Sequence, residues 1–336
     1  MQYVFCEEGV YEGICIWLSK RGSCLFQCLC KAMQLEIDTC AQRPTLENAQ
    51  LCQGYECISV LSTPIDAALL QKLQEVGVRF LSTRTVGYDH IDLAYARKIG
   101  IHIGNATYAS ESVADYTIML ILMALRKMKL ILQSAVSQDY SFDAVLGSNL
   151  KGKTLGVIGT GAIGQTLIRH IAGFGCRILA YNPHPRKEME QYVTYVDLNT
   201  LYQNSDIITL HVPLNDATYH LLNEAAFARM KPGVIIVNTA RGPLIDNTAL
   251  IAAIESGKVG AAALDVVEGE TGIYYNRRKG KILKQHDMAV LNSFPNVLLT
   301  PHLAFLTDDS YRDMVTHSMK SCYLFMHGEE NPWLIQ

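Results

Sequence analysis

The chain has 336 residues, with 29 Lys and Arg against 32 Asp and Glu and a net charge of −3. It carries no basic tract, which argues against a nucleic-acid partner, and its 49% hydrophobic content supplies a sizeable core and, at this length, about two domains. The longest apolar run, 118–125, is far too short to cross a bilayer, and Glu7, Glu8 and Glu12 stand where a signal peptide needs basic residues, so a cytoplasmic protein is expected.

The first 35 residues have no readable periodicity. They hold much of an unusual cysteine content, ten in all with eight in the first 57 residues. Cys24, Cys28 and Cys30 raise the question of a metal, but no second cysteine pair or histidine pair lies near enough in sequence to complete a tetrahedral site. Buried free thiols are expected instead. From residue 57 a small α/β unit is legible, with a buried strand at 57–61, a helix at 65–76 and a strand at 78–82. Asp89 is expected to cap a helix ending at Gly100, before a short strand at 101–103. Ser112 and Asp115 have the spacing of a capping box and would open a helix running to about Lys127. That helix is apolar on nearly all sides, which predicts burial between domains or subunits.

A loop at 146–153 leads into alternating strands and helices. Strands are predicted at 154–158, 177–181, 207–211, 234–238, 261–266 and 297–300. Helices are predicted at 165–173, 200–203, 224–230 and 248–256, with a closing helix over 308–327. Apolar strands alternating with helices imply a parallel sheet covered on both faces. Gly159, Gly161 and Gly164 form a G-x-G-x-x-G run between the first of these strands and a helical pattern. That context makes the run a dinucleotide fingerprint: the first glycine allows the turn, the second lets backbone approach a pyrophosphate, and the third lets helix and strand close up. The helix N-terminus then offers free N–H groups to the phosphates.

Such sheets bind ligands beyond the C-terminal ends of their strands. His211, Val212 and Pro213 follow one strand, Arg241 the next, Asp265, Glu268 and Glu270 a third, and His302 the last. An arginine, carboxylates and a histidine would thus meet beside a bound dinucleotide. The set suits hydride transfer at a 2-keto acid. A guanidinium binds carboxylate in a bidentate fork, and histidine can give and take the proton of the carbonyl oxygen. A carboxylate partner fixes the tautomer and favours the imidazolium form. Tyr274 and Tyr275 are expected to pack their loop.

The segments LYQNSDIITLHVP at 201–213 and MKPGVIIVNTARG at 230–242, with the glycine run, resemble the D-2-hydroxyacid dehydrogenase family over nearly the whole chain. The resemblance implies two Rossmann-like or flavodoxin-like α/β domains with parallel sheets and a cleft between them. Residues 1–109 plus 303–336 would form the substrate domain and 110–302 the dinucleotide-binding domain. It makes Arg241 the substrate-binding arginine, His302 the acid/base and Glu270 its partner in preference to Glu268. Asp265 would lie near the nicotinamide and help to orient Arg241. Ala162, Ile163, Val212, Pro213, Thr218, Thr239 and Ala240 fall where the family contacts cofactor.

The stretches STRTVGYDHID at 82–92, GNATY at 104–108 and GIYY at 272–275 are similar to D-lactate dehydrogenases, including the vancomycin-resistance type. This likeness implies that the N–H groups of Val86 and Gly87 hold the substrate carboxylate, that Tyr108 lines the pocket, and that Phe305 and Leu306 limit side-chain size. It implies reduction of pyruvate to D-lactate. The alternatives are bulkier keto acids such as 2-ketoisocaproate or phenylpyruvate, and a dinucleotide-sensing corepressor. At the end of the second nucleotide strand, where NAD-dependent relatives carry an acid, stands Asn182, with His184 and Arg186 nearby. NAD is the expected cofactor and NADP the second choice. A homodimer is expected, with no metal.

Overall fold

A computed structural model describes residues 2–6, 36–40, 42–143 and 145–335. Cys24, Cys28 and Cys30 lie outside the described residues. Two compact units divide the chain, Met1–Ala109 with Thr307–Gln336 and Ser110–Leu306. The second boundary falls four residues beyond the expected one. Asp265 accounts for this, because its side chain accepts the N–H groups of Leu303 (3.0 Å) and Ala304 (2.9 Å) and so ties the turn after His302 to the second unit.

The first unit opens with β1 (Gln2–Cys6), β2 (Glu36–Cys40) and β3 (Cys57–Val60), followed by helix α1 (Ala67–Glu75), β4 (Phe80–Thr83), α2 (Leu93–Ile99) and β5 (His102–Gly104). Asp66 caps α1 by accepting the Leu69 N–H at 2.9 Å, and the helix buries Leu69, Leu70 and Leu73. The cap of α2 is Asp92, which accepts the Tyr95 N–H at 2.9 Å, and not Asp89. The apolar run begins only after Asp92, so the residue next to it supplies the cap.

The second unit begins with α3 (Ser110–Leu125), two residues before the expected capping box. One face of α3 buries Ala114, Leu120, Ile121, Ala124 and Leu125 against the unit's own sheet. A helix not foreseen, α4 (Met128–Val136), follows. Then come β6 (Thr154–Ile158), α5 (Ala162–Ile171), β7 (Arg177–Tyr181), β8 (Thr194–Tyr195), α6 (Leu198–Asn204), β9 (Ile207–Leu210), α7 (Glu224–Arg229), β10 (Val234–Asn238), α8 (Asn247–Glu255), β11 (Val259–Leu264), α9 (His286–Ser293) and β12 (Val297–Leu299).

Its seven strands run parallel in the order β12-β11-β10-β9-β6-β7-β8. Strand β11 starts two residues earlier than expected, since Gly260 passes close over Gly233, where a Cβ would lie 2.7 Å from the Gly233 carbonyl oxygen. Alternate residues feed two cores: Ile208, Leu210, Ile236 and Leu264 on one face, and Ile207, Val237, Ala261 and Ala263 on the other. This is the period-two signature of a strand covered on both sides. Strand order reverses between β6 and β9, which is where a doubly wound sheet opens its ligand crevice.

The chain re-enters the first unit with α10 (Asp308–His327) and β13 (Leu334–Ile335). Thr307 caps α10 through the Ser310 N–H at 3.2 Å. The helix lays Val315, Met319 and Cys322 on Cys57 and Phe80, and Phe325 stacks on Phe80 with ring centroids 4.6 Å apart. The sheet order is β13-β5-β4-β3-β1-β2, with only β13 antiparallel. The five parallel strands follow the 2-1-3-4-5 order of flavodoxin-like folds. No helix among the described residues is long and apolar enough to cross a membrane.

Candidate active site

The glycine loop leaves β6 at the switch point. Gly159 has φ +102°, and a Cβ there would lie 2.4 Å from the His211 carbonyl oxygen. A Cβ on Gly164 would lie 2.1 Å from the Gly159 carbonyl oxygen, so α5 closes on the turn only because that residue is glycine. Gly161, the N-cap of α5, meets nothing within 4 Å. Open space beside Gly161 and the unbonded first-turn amides of Ala162 and Ile163 fit a pyrophosphate. Asn182 accepts the Thr160 N–H at 3.3 Å and donates to the His184 carbonyl at 2.5 Å, tying the end of β7 to the glycine loop. His184 and Arg186 are exposed.

His211, Val212 and Pro213 follow strand β9, and the Thr218 hydroxyl donates to the Pro213 carbonyl at 2.6 Å, closing the loop after it. Thr209 Oγ1 lies 3.0 Å from His211 Nε2. Burial holds the His211 pKa down to about 4 from the ordinary 6.5. Between these values the unfolded chain takes up a proton that the folded protein refuses. The stability this residue supports is therefore complete above pH 6.5 and is lost as pH falls towards 4. Between pH 7 and 5 the wild type should lose about 2 kcal/mol more than His211→Asn. Urea melts at the two pH values measure it, and equal losses in the two proteins would count against a neutral buried ring.

At the end of β10, Asn238 is fully buried and holds the turn: its Nδ2 donates to the Arg241 carbonyl at 2.8 Å and its Oδ1 accepts the Ala240 N–H at 3.0 Å. Thr239 meets the Thr117 hydroxyl at 2.8 Å. Arg241 Nη1 donates to the Ala240 carbonyl at 2.8 Å. Gly242 is pressed against the backbone of Val267, where a Cβ would lie 2.2 Å from the carbonyl carbon.

After β11, Asp265 is fully buried. Burial pushes its pKa up, and hydrogen bonds from Thr300, Leu303 and Ala304 oppose this. The Thr300 hydroxyl bond is 2.6 Å. These bonds run to the turn that bears His302, whose N–H donates to the Asp265 carbonyl at 2.8 Å and whose φ is +56°. His302 Nδ1 lies 2.6 Å from Glu270 Oε1, and Glu270 Oε2 accepts the Val267 N–H at 2.8 Å. Glu268 turns instead to His220 Nε2 at 2.9 Å and the Tyr219 hydroxyl at 3.3 Å. Of the two carboxylates, Glu270 is the one that reaches His302. Nδ1 carries the proton that the carboxylate accepts, and Nε2 has no partner among the described residues. The Phe305 ring stands nearly perpendicular to the imidazole at 6.4 Å.

Of the two tyrosines on the loop after Glu270, Tyr274 packs on the core as expected and Tyr275 does more. The Tyr275 hydroxyl donates to the His302 carbonyl at 2.8 Å. The Tyr274 hydroxyl is buried without a partner among the described residues, and burial, with Glu270 and Asp265 nearby, pushes its pKa up. No pattern in the local sequence marks the role of Tyr275.

In the first unit, Val86 and Gly87 follow β4, and Tyr108 follows β5, again at strand C-termini. Asn105 Nδ2 donates to the Val86 carbonyl at 2.9 Å and the Thr85 hydroxyl to the Gly87 carbonyl at 2.6 Å. Both carbonyls are tied back, and neither N–H has an acceptor among the described residues. Tyr108 is half-buried. Among the described residues no cluster of His, Cys, Asp or Glu is arranged to hold a metal.

Comparison with known proteins agrees with this geometry. The family described as D-isomer specific 2-hydroxyacid dehydrogenase, NAD binding domain, matches residues 118–304. The chain is 42% identical over 285 residues to a D-specific alpha-keto acid dehydrogenase of Enterococcus faecium, covering 84% of this chain and 87% of that protein. It is 40% identical over 270 residues to an aromatic 2-oxoacid reductase of Clostridium sporogenes, covering 80% and 82%. The apo structure of D-lactate dehydrogenase from Escherichia coli superposes with a TM-score of 0.84 at 31% identity, covering 100% of this chain and 99% of that one. The protein therefore belongs to the D-isomer specific 2-hydroxyacid dehydrogenases, NAD-dependent oxidoreductases, and the matched segment that holds its glycine loop, Arg241, Glu270 and His302 is the NAD-binding domain of that family.

Proposed function

We propose that this enzyme reduces a small 2-keto acid to its D-2-hydroxy acid, with pyruvate and D-lactate as the leading pair. The 2.6 Å contact between His302 Nδ1 and Glu270 carries the reading. A carboxylate on Nδ1 fixes the tautomer and leaves Nε2 to work on substrate, as in other carboxylate–histidine pairs. NADH, when bound, supplies a hydride to the carbonyl carbon. His302 Nε2 delivers a proton to the carbonyl oxygen as negative charge gathers there, and in the reverse direction takes the hydroxyl proton. Arg241 takes the substrate carboxylate, exchanging its contact with the Ala240 carbonyl for a charged, bidentate one. By the family resemblance, the N–H groups of Val86 and Gly87 and the Tyr108 ring are the first unit's candidates for substrate contact, and Phe305 is the second unit's candidate for limiting side-chain size. Gly159, Gly161, Ala162, Ile163 and Gly164 hold the pyrophosphate, Asn182 the adenosine ribose, and Val212, Pro213, Thr218, Thr239, Ala240 and Asp265 flank the rest of the cofactor.

A second reading, reduction of a bulkier keto acid, is favoured by the similarity to the aromatic 2-oxoacid reductase. Apolar pockets separate substrates that differ by one methylene by only about 1–3 kcal/mol. Steady-state kinetics with pyruvate, 2-ketoisocaproate and phenylpyruvate, each with NADH and NADPH, decide between the readings. Pyruvate with NADH should give the highest kcat/KM. Pyruvate ranking last would overturn the lactate assignment, and NADH binding with no turnover on any acid would favour a sensing role.

The protein is also read as a cytoplasmic homodimer. Leu132, Val136, Tyr140, Phe142 and Leu146 are all more than half exposed within a single stretch of the second unit. Apolar surface of that extent is a mark of a protein contact. Light scattering should return twice the chain mass, and a monomer at micromolar concentration would contradict the reading.

A further inference from the structure

We infer that Tyr275 is a positioning residue for His302, locking the peptide plane that aims the imidazole. The inference rests on the acid/base reading of His302. His302 has φ +56° and Tyr275 φ +62°, and both are left-handed residues with side chains. Such backbone is strained and persists only where surrounding contacts over-determine it.

The contacts here converge on one peptide bond, that between His302 and Leu303. Its carbonyl accepts the Tyr275 hydroxyl at 2.8 Å, and its N–H donates to Asp265 Oδ1 at 3.0 Å. A planar peptide held at both ends cannot rotate, so ψ of His302 and φ of Leu303 are set together. The histidine N–H is held in turn by the carbonyls of Asp265 (2.8 Å) and Thr300 (3.0 Å). Tyr275 also belongs to the same loop as Glu270. The Glu270 carbonyl accepts the N–H groups of Ile273 (2.9 Å) and Tyr274 (3.1 Å), which turns the chain so that Tyr275 follows directly. One loop thus grips His302 twice, at Nδ1 through the Glu270 carboxylate and at the main-chain carbonyl through the Tyr275 phenol. Without the phenol, the peptide is free to relax toward ordinary backbone, which swings the imidazole off Glu270 and misdirects Nε2.

The test is Tyr275→Phe, which removes one oxygen and keeps the ring that stands 6.1 Å from the imidazole. Loss of one hydrogen bond to a half-buried carbonyl should lower kcat about tenfold, with the NADH dissociation constant unchanged and the melting temperature lowered by no more than the few degrees one hydrogen bond is worth. In the wild type, the proton between His302 Nδ1 and Glu270 should give a downfield NMR signal, absent in His302→Ala. That signal should broaden or vanish in Tyr275→Phe. In a His302→Ala background the phenylalanine should have no further effect on turnover. Unchanged kcat, an unchanged proton signal, an equal loss in the His302→Ala background, or a variant that melts lower by more than those few degrees or fails to bind NADH would each overturn the inference. Wild-type turnover in His302→Ala alone would instead overturn the acid/base reading on which it rests.

Discussion

Replacing His302 by alanine should lower kcat by about 10³-fold while leaving NADH affinity unchanged. Positioned general acids and bases contribute roughly 10²–10⁴-fold, and the paired imidazole leaves no second proton donor of equivalent placement in the second unit. Glu270 is fixed on the Val267 N–H at 2.8 Å and so holds the ring in one tautomer. Glu270→Gln keeps the shape but puts an amide where the carboxylate accepts, so either the bond breaks or the tautomer turns round. A fall of about 10²-fold in kcat is expected from that change. His211 does not take over, because burial keeps it neutral far below neutral pH. Single-turnover measurements with saturating NADH separate chemistry from binding. Wild-type rates in His302→Ala would end the assignment, and a loss confined to NADH binding would move His302 from the chemistry to the cofactor.

Alanine at Gly161 and at Gly164 should have opposite consequences, although the two glycines are three residues apart in one motif. A Cβ at Gly161 meets nothing within 4 Å, and φ there is −71°, so the protein should fold and melt as the wild type does. The methyl nonetheless fills the space beside the helix N-terminus that the pyrophosphate needs, and NADH affinity should drop at least about tenfold. A Cβ at Gly164 lies 2.1 Å from a backbone oxygen that no rotamer change can move. Helix α5 must shift away from the turn, at the roughly 1–3 kcal/mol typical of overpacking, and the melting temperature should fall by several degrees even without cofactor. Calorimetry and fluorescence titration with NADH check both. Equal melting of the two variants would contradict the packing argument, and full NADH affinity in Gly161→Ala would contradict the cofactor site.

Much of this could be read along the chain. Period-two and period-3.6 apolar patterns mark most strands from β6 onward and most of their helices, because each element must turn one face or both to a core, but the two-residue strands β8 and β13 are too short to show a period. The glycine run identifies itself by its strand before and helix after. Boundaries were less legible: Asp92 rather than Asp89 caps α2, α3 begins at Ser110, and β11 starts at Val259. A single capping bond sets the start of α2 and one close backbone approach accompanies the start of β11, and such details shift an element's end by a residue or two without altering its period. Helices α4 and α9 were not foreseen; each is short, at nine and eight residues.

Residue types and their order along the strands told that an arginine, acids and a histidine end up at one edge of a parallel sheet, and that a dinucleotide belongs there. Folding chose among them. Glu270 reaches the imidazole and Glu268 goes to His220, although the two lie on the same loop and differ in position by two residues. Asp265 grips the turn of His302, and a tyrosine that reads as loop packing holds that histidine's carbonyl. These pairings join residues 27 to 48 positions apart, and each is settled by the backbone angles of two separate turns, which depend on contacts that exist only after the sheet has closed.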